Sequence, residues 1–364
     1  VTPAEEEWLL RLNAISFGDP VVAARLLEKL GASGLARGGD ADWRAASGLT
    51  EARGARWRRE ALAFDVDGER RRCDALGVRL LLRGRPDYPE LLAPIPEAPL
   101  ALYLRGRLSD AASVAVVGSR APTAYGRRMA RSFAGTLARR GVVVVSGLAR
   151  GIDAESHAAA LDARGTTWAV LGSGLGEIYP PENRDLARRI ADEGGAVLSE
   201  HPLATPPDQP LFPRRNRIIA GLSWATVVVE GRLGSGSLQT AEKSAEYGRE
   251  TLAVPGPADS PLSEAPHLLL RSGARFAGTP EDVLAALPAG AARTAPKPAT
   301  QLDFSGEGEE GRVLGLLGGD SLSLDELSRM TGLDTPRLST IMFGLELKDL
   351  VAAVPGQRYA KKTA

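Results

Sequence analysis

A doubly wound α/β domain, with short helices before it and a winged helix-turn-helix after it, is the fold this sequence predicts. The first reason is a series of short apolar runs, four to six residues each, that alternate with helical segments through the middle of the chain. Runs of that kind suit strands buried on both faces, and their alternation with helices suits parallel strands joined by right-handed crossovers. The second reason is the Ala/Pro-rich stretch Pro288–Thr300, which reads as a linker. The third is the tail beyond it, with three helical patterns and a small hairpin.

Taken in order, residues 1–72 carry apolar residues at helical spacing over Glu5–Ile15, Val21–Leu30 and Glu51–Phe64, with Gly-rich breaks at Gly31–Gly39. Such hairpins serve either to bind DNA backbone or to pack, and packing is favoured here. Two strands, Val78–Leu82 and Leu100–Arg105, flank a Pro-rich connector. The runs Ser113–Val117, Val142–Ser146, Thr166–Leu171, Ala196–Ser199, Ala225–Glu230 and Thr251–Val254 supply the sheet. In the tail, helices are expected at Glu309–Leu317, Ser323–Thr331 and Thr335–Leu347, the second opened by a Ser323/Glu326 capping box. Leu350–Val354 and Gln357–Ala360 form the hairpin. The domains are thus 1–72, 73–287, a linker at 288–303, and 304–364.

At 364 residues and 43% hydrophobic content, two or three globular domains are expected. No apolar run approaches the roughly 20 residues of a membrane span, and the first residues lack the pattern of a signal peptide. A single cysteine, Cys73, makes no internal disulfide, and with only three histidines no zinc cage is expected. A reducing cytoplasm is the expected setting. The net charge is zero, yet Ala111–Ile152 contains no acid and carries Arg120, Arg127, Arg128, Arg131, Arg139, Arg140 and Arg150. Asp303–Glu326 reverses the sign, with seven acids against Arg312. That segregation points to a polyanionic partner for the central domain.

Ligands of a doubly wound sheet sit beyond the carboxyl ends of its strands. Four Gly/Ser-rich loops are expected there: Gly118–Arg120, Ser146–Asp153, Gly172–Gly176 and Gly234–Thr240. Glycine lets backbone approach a ligand, and a following helix aims free N–H groups at it, which together make an anion site. Neither the dinucleotide Gly-x-Gly-x-x-Gly nor a P-loop Lys-Ser/Thr is present, so no nicotinamide, flavin or ATP cofactor is expected. The run Phe212-Pro213-Arg214-Arg215-Asn216-Arg217 joins cations to an aromatic ring, the combination that holds single strands without sequence readout. Asp153 and His157 stand one helical turn apart, but no nucleophile elbow accompanies them, so the pair reads as buried hydrogen bonding rather than catalysis.

The segments VAVVGSRAPTAYG, VVVVSGLARGIDAESHAAAL, AVLGSGLGEIYPPEN, AVLSEHPL, FPRRNRIIAGLS, VVVEGRLGSGSLQTAEKSAEYGRETLAVPG and LLLRSGA, in that order, resemble the DprA/Smf (DNA-processing protein A) family. The resemblance implies an extended Rossmann domain over 73–287, a SAM-like helical domain over 1–72 and a winged helix over 304–364. It implies a non-enzymatic protein that binds and protects single-stranded DNA in natural transformation and loads the RecA recombinase onto it. A homodimer through the Rossmann domain is implied too, with single-strand-binding protein as a further candidate partner. Carried onto this chain, the DNA-contacting set is Gly118, Ser119, Arg120, Gly147, Phe212, Arg214, Arg215, Asn216, Arg217, Gly236 and Ser237. Ser156 and Glu264–His267 depart from the family pattern, the latter where a helix contributes to the dimer.

Two other readings compete. A nucleoside-monophosphate phosphoribohydrolase shares the Rossmann resemblance, but its essential Glu falls on Thr240 here. A duplex-reading winged helix would use Thr335–Leu347, which offers only Arg337, with Lys348 just beyond, in an acidic neighbourhood. Residues 304–364 are therefore expected to modulate the protein or to bind another one.

Overall fold

The computed structural model describes all residues except 17–18, 292–308, 318–320, 348–349, 355–357 and 362–364. Most of the expected linker lies outside the described residues. The chain divides into two compact units, Val1–Thr294 and Ala295–Ala364.

The first unit opens with five helices: α1 (Pro3–Ser16), α2 (Pro20–Arg37, broken at Gly31), α3 (Asp40–Ser47), α4 (Glu51–Ala63) and α5 (Val66–Ala75). Trp8, Leu12, Leu26, Trp43 and Trp57 make their core, which continues into Leu82, Leu100 and Ala101 at the edge of the sheet. Asn13 of α1 is buried at that junction. It donates from Nδ2 to Glu200 O (2.6 Å) and accepts from Ala101 N (3.1 Å).

Strands β1 (Val78–Leu82) and β2 (Ala101–Gly106) precede the alternating region. There follow β3 (Ser113–Val117), α6 (Ala124–Arg139), β4 (Val143–Ser146), α7 (Ile152–Asp162), β5 (Thr167–Val170), α8 (Arg184–Asp192), β6 (Ala196–Ser199), α9 (Leu211–Gly221), β7 (Ala225–Val228), α10 (Gly236–Glu246), β8 (Glu250–Ala253), α11 (Glu264–Arg271), β9 (Arg275–Phe276) and α12 (Pro280–Leu284). The nine strands form one sheet in the order β1-β2-β6-β5-β4-β3-β7-β8-β9. From β6 to β9 all pairings are parallel, while β2 joins β6 antiparallel and β1 joins β2 antiparallel. The expected doubly wound sheet is therefore present, with an antiparallel extension. Every residue of β3 to β7 is buried, because helices cover both faces.

The order of the sheet decides where a site can form. The chain runs outward from β3 through β4 and β5 to β6, then returns to lay β7 on the other side of β3. Loops after β3 and β7 consequently diverge to opposite faces and leave a crevice between them.

The second unit holds α13 (Glu309–Leu316), β10 (Leu322–Ser323), α14 (Leu324–Thr331), α15 (Thr335–Leu347), β11 (Val351–Val354) and β12 (Arg358–Lys361), with sheet order β10-β12-β11. Ser323 and Glu326 form the expected capping box, and Val313, Leu327, Leu338, Ile341 and Leu345 close the core. This is a winged helix.

Candidate nucleic-acid interface

A cleft of about 710 Å³ opens at the carboxyl ends of β3 and β7, at the switch in strand order. Of the residues singled out in the sequence, Gly118, Ser119, Arg120, Phe212, Arg215, Asn216, Gly236 and Ser237 line it. Gly147, Arg214 and Arg217 do not. Arg214 is exposed on the first turn of α9, whereas Gly147 and Arg217 are buried.

Arg120 stands exposed after β3, with its guanidinium 5.7 Å from the centre of the half-buried Phe212 ring, within the range of a cation–π contact. A Cβ at Gly172 would overlap that ring, so the glycine of the third loop makes the seat of Phe212. The ring then rests on Tyr179, 5.5 Å between centres and tilted by 43°.

The opposite wall is the start of α10. Ser235 caps the helix by accepting from Leu238 N (3.3 Å), and Gln239 N donates to Ser235 O (3.2 Å). That leaves the first-turn N–H groups of Gly236 and Ser237 on the cleft wall, where the positive end of the helix favours an anion. Asn216 fixes this wall from α9 by donating from Nδ2 to Gly236 O (3.1 Å).

The second Gly-rich loop departs from expectation. Two of its N–H groups are already given to an internal carboxylate: Gly147 N and Ala149 N donate to Asp153 Oδ2 at 3.1 and 3.4 Å. Gly147 O in turn accepts from Arg215 Nη1 (2.6 Å), which also reaches Val170 O. A Cβ at Gly147 would fall on that guanidinium, so glycine is needed here for close packing and not for ligand approach. Burial pulls the Arg215 pKa down to about 10, against the pull of Asp153. Burial likewise raises that of Asp153, opposed by Arg215 and the loop N–H groups. The two form the floor of the cleft.

Arg217 is also structural. It donates from Nη1 to Glu200 Oε1 (2.8 Å) and Arg214 O (2.8 Å), from Nη2 to Glu200 Oε2 (2.6 Å), and from Nε to Glu97 O (2.9 Å). The geometry therefore separates the Arg-rich run into an outward cation, Arg214, and two inward struts, Arg215 and Arg217. Sequence reading treated all three alike.

The acid-free segment is partly neutralised in three dimensions. Arg127 and Arg131 pair with Glu155, Arg131 also with Asp162, and Arg150 with Glu182. Arg232 was missed in the sequence. It is exposed, lines the cleft, and follows β7 as Arg120 follows β3; its position one residue past a strand-end Gly was the available signal.

Asp153 and His157 are both buried, and each is committed elsewhere. Thr167 Oγ1 donates to Val144 O (2.6 Å) and accepts from His157 Nδ1 (2.6 Å). Among the described residues no group of three or more His, Cys, Asp or Glu is placed to hold a metal ion, and no helix is long and apolar enough to cross a membrane.

The fold and cleft define a Rossmann-type α/β protein with a winged-helix unit and a crevice suited to a phosphate-bearing ligand. A family model described as DNA recombination-mediator protein A matches residues 79–288, and one described as DprA winged helix domain matches residues 293–357. Protein Smf of Escherichia coli is 42% identical over 276 residues, 74% of each chain. DNA processing protein DprA of Bacillus subtilis is 41% identical over 215 residues, 58% of this chain and 72% of that one. The X-ray structure of DNA processing protein A from Streptococcus pneumoniae superposes with a TM-score of 0.67 at 32% identity, covering 79% of this chain and 99% of that one. DNA processing protein A from Helicobacter pylori, solved to give insight into its single-stranded DNA binding mode, gives 0.52 at 27% identity over 57% of this chain and 94% of that one. The chain belongs to the DprA/Smf family.

Proposed function

We propose that this protein binds single-stranded DNA in the cleft at the β3/β7 switch and acts as a recombination mediator, without chemical turnover. One observation carries the reading: an exposed cation over an aromatic ring, Arg120 on Phe212, faces the first-turn N–H groups of α10 across a single cleft. Cation, ring and helix start are what a phosphate and its base need together. The direct contacts are Gly118, Ser119, Arg120, Phe212, Arg214, Asn216, Gly236 and Ser237, joined by Arg232. Gly147, Arg215 and Arg217 act behind them by shaping the loops. The Helicobacter pylori relative, described for its single-stranded DNA binding, supports the ligand class.

The carboxylates near the cleft support a binding role over hydrolysis. Asp153 is tied to the Gly147 loop, and Glu230 accepts from Thr123 N and Oγ1. The position of the phosphoribohydrolase Glu is Thr240, whose hydroxyl donates to Gly236 O. Family membership extends the reading to RecA loading, a homodimer through the Rossmann domain, contact with single-strand-binding protein, and work in the cytoplasm on incoming DNA.

Fluorescence anisotropy of labelled single- and double-stranded oligonucleotides over a salt series, without nucleotide or metal, tests the proposal. Tight, salt-sensitive preference for the single strand is expected. Absence of binding, or preference for the duplex, would overturn it.

A further inference from the structure

Beside the cleft, four side chains from three different strand-end loops and the start of α9 form a row of two touching rings with a cation at each end. Arg120 lies over Phe212, Phe212 packs on Tyr179, and Arg150 lies 5.9 Å from the centre of the Tyr179 ring. The row starts at the cleft and crosses the carboxyl ends of β3, β4 and β5, away from β7. Its spacing is fixed. Asn183 Nδ2 donates to Leu148 O (2.8 Å), which clamps the segment carrying Tyr179 and Glu182 onto the loop carrying Arg150.

The two halves of the row differ in one respect. Arg120 has its contact with Phe212 and lies open to solvent. Arg150 is held by the carboxylate of Glu182, with both side chains about half exposed (52% and 49%). An exposed pair of this kind is screened by water and exchanges readily for another anion. At 5.5 Å between centres the two rings touch, so no base fits between them, and bases must stack on their outer faces. An arginine stands at cation–π distance from each ring, Arg120 5.7 Å from Phe212 and Arg150 5.9 Å from Tyr179, and the natural alternative partner of either is a phosphate.

We propose that Tyr179 and Arg150 form a second nucleotide subsite, in which Arg150 leaves both Glu182 and the Tyr179 ring for a phosphate and the next base along the strand stacks on the ring face so uncovered. This rests on the single-strand reading of the cleft and gives it a direction: the strand runs from the start of α10 across Phe212 towards β5. Glu182 acts as an internal stand-in for phosphate and holds Arg150 ready when no DNA is bound.

The test compares wild type, Tyr179→Leu, Tyr179→Phe, Glu182→Gln and Phe212→Leu on a series of oligothymidylates of increasing length. Tyr179→Leu keeps the packing against Phe212 but removes the π face, and Tyr179→Phe keeps the face and loses the hydroxyl. For oligonucleotides long enough to pass the cleft, Tyr179→Leu should weaken binding roughly 10-fold. Tyr179→Phe should bind like wild type, and Glu182→Gln should bind more tightly. On the shortest oligonucleotides that bind, Phe212→Leu should lose affinity and Tyr179→Leu should not. A 5-iododeoxyuridine strand should photocrosslink to the tryptic peptide that contains Tyr179. If Phe212→Leu weakens binding while the Tyr179 and Glu182 variants match wild type at every length and no crosslink forms, the second subsite is wrong and the cleft reading stands. If wild type binds no single strand, both fall.

Discussion

Arg217 and Glu200 face each other inside the molecule through two parallel hydrogen bonds, 2.8 Å from Nη1 to Oε1 and 2.6 Å from Nη2 to Oε2, and both residues are almost wholly buried. The pair ties α9 to the end of β6, and Arg217 Nε extends the tie to Glu97 in the Pro-rich connector. A motif that reads as phosphate-binding thus spends one of its arginines on holding its own helix in place.

Removing that arginine should therefore cost stability before it costs affinity. Arg217→Ala leaves a buried carboxylate unpaired, a change worth about 3–5 kcal/mol. Urea unfolding should show the loss, while the single-strand Kd of the folded fraction stays near that of wild type. Replacing both partners, Arg217→Met with Glu200→Met, should recover much of the stability, because two apolar side chains bury no charge. A large fall in affinity with unchanged stability would return Arg217 to the binding surface.

The same logic applies under the second loop. Gly147→Ala would press a methyl group into the Arg215 guanidinium and break its bonds to Gly147 O and Val170 O. Melting followed by circular dichroism should show a marked drop. Gly236→Ala, whose Cβ would meet Asn216 Nδ2 at an ordinary 3.4 Å, should fold normally. Equal stability of the two variants would refute the assignment of Gly147 to packing.

At the cleft itself the expected effects are on affinity. Arg120→Ala and Arg232→Ala should each weaken single-strand binding and flatten the slope of log K against log salt by about 0.7, one phosphate contact on a single strand. Neither side chain has an ion-pair partner among the described residues, so folding should be unaffected. An unchanged salt slope in both variants would move the phosphate track elsewhere.

These differences mark what the sequence could and could not reveal. The six apolar runs of the sheet were legible because burial on both faces favours apolar side chains, with polar exceptions such as Ser146 and Thr167, whose hydroxyls donate to backbone carbonyls. The two-residue β9, both of whose residues are exposed, carries no such signature. The antiparallel pairing of β2 with β6 was not legible either, since it joins residues about a hundred positions apart. Helices α3 and α5 were missed because they are short, with Trp43 the one large apolar residue in α3 and mostly charged residues in α5. At the site, Arg120 and Phe212 stood out by type and place. The division of Arg214 from Arg215 and Arg217 did not, because composition does not say which side of α9 faces inward. The partners that settle it, Glu200 and the carbonyls of Gly147 and Val170, lie at the carboxyl ends of β6, β4 and β5.

Acid should destabilise the protein in two steps. His157 is buried, with Nδ1 bonded to Thr167 and Nε2 without a hydrogen-bond partner among the described residues, and burial holds its pKa down at about 3, against 6.5 for a free histidine. Below pH 6.5 the unfolded chain takes up a proton that the native state refuses, so stability falls by about 1.4 kcal/mol per pH unit until about pH 3. For Glu200, burial raises the pKa but the Arg217 guanidinium outweighs it, and the net value lies below 4.5. Its contribution is present above pH 4.5 and is lost as pH falls through the native value. Urea midpoints from pH 7 to 4 should decline in wild type, and His157→Gln should decline less steeply, whatever its stability at pH 7. Parallel slopes would show that His157 is protonated in the native state.

The winged helix should contribute little to holding the single strand. Its recognition-type helix, α15, turns Ser339, Thr340, Phe343 and Glu346 to solvent, and Phe343 is 63% exposed. Arg337, its one base-reading candidate, is paired with Glu309 at 2.8 Å. A duplex reader draws much of its affinity from phosphate contacts, and among the described residues this outward face offers two hydroxyls, an acid and an aromatic ring but no unpaired cation. A chain ending at residue 303 should keep most of its single-strand affinity, measured by anisotropy beside the full chain, because the cleft and the core beneath it lie in the unit Val1–Thr294. Residues 304–364 alone should not shift a duplex oligonucleotide. Near-total loss of single-strand binding in the shorter chain, or tight duplex binding by the isolated winged helix, would assign this unit to DNA instead of to modulation or a protein partner.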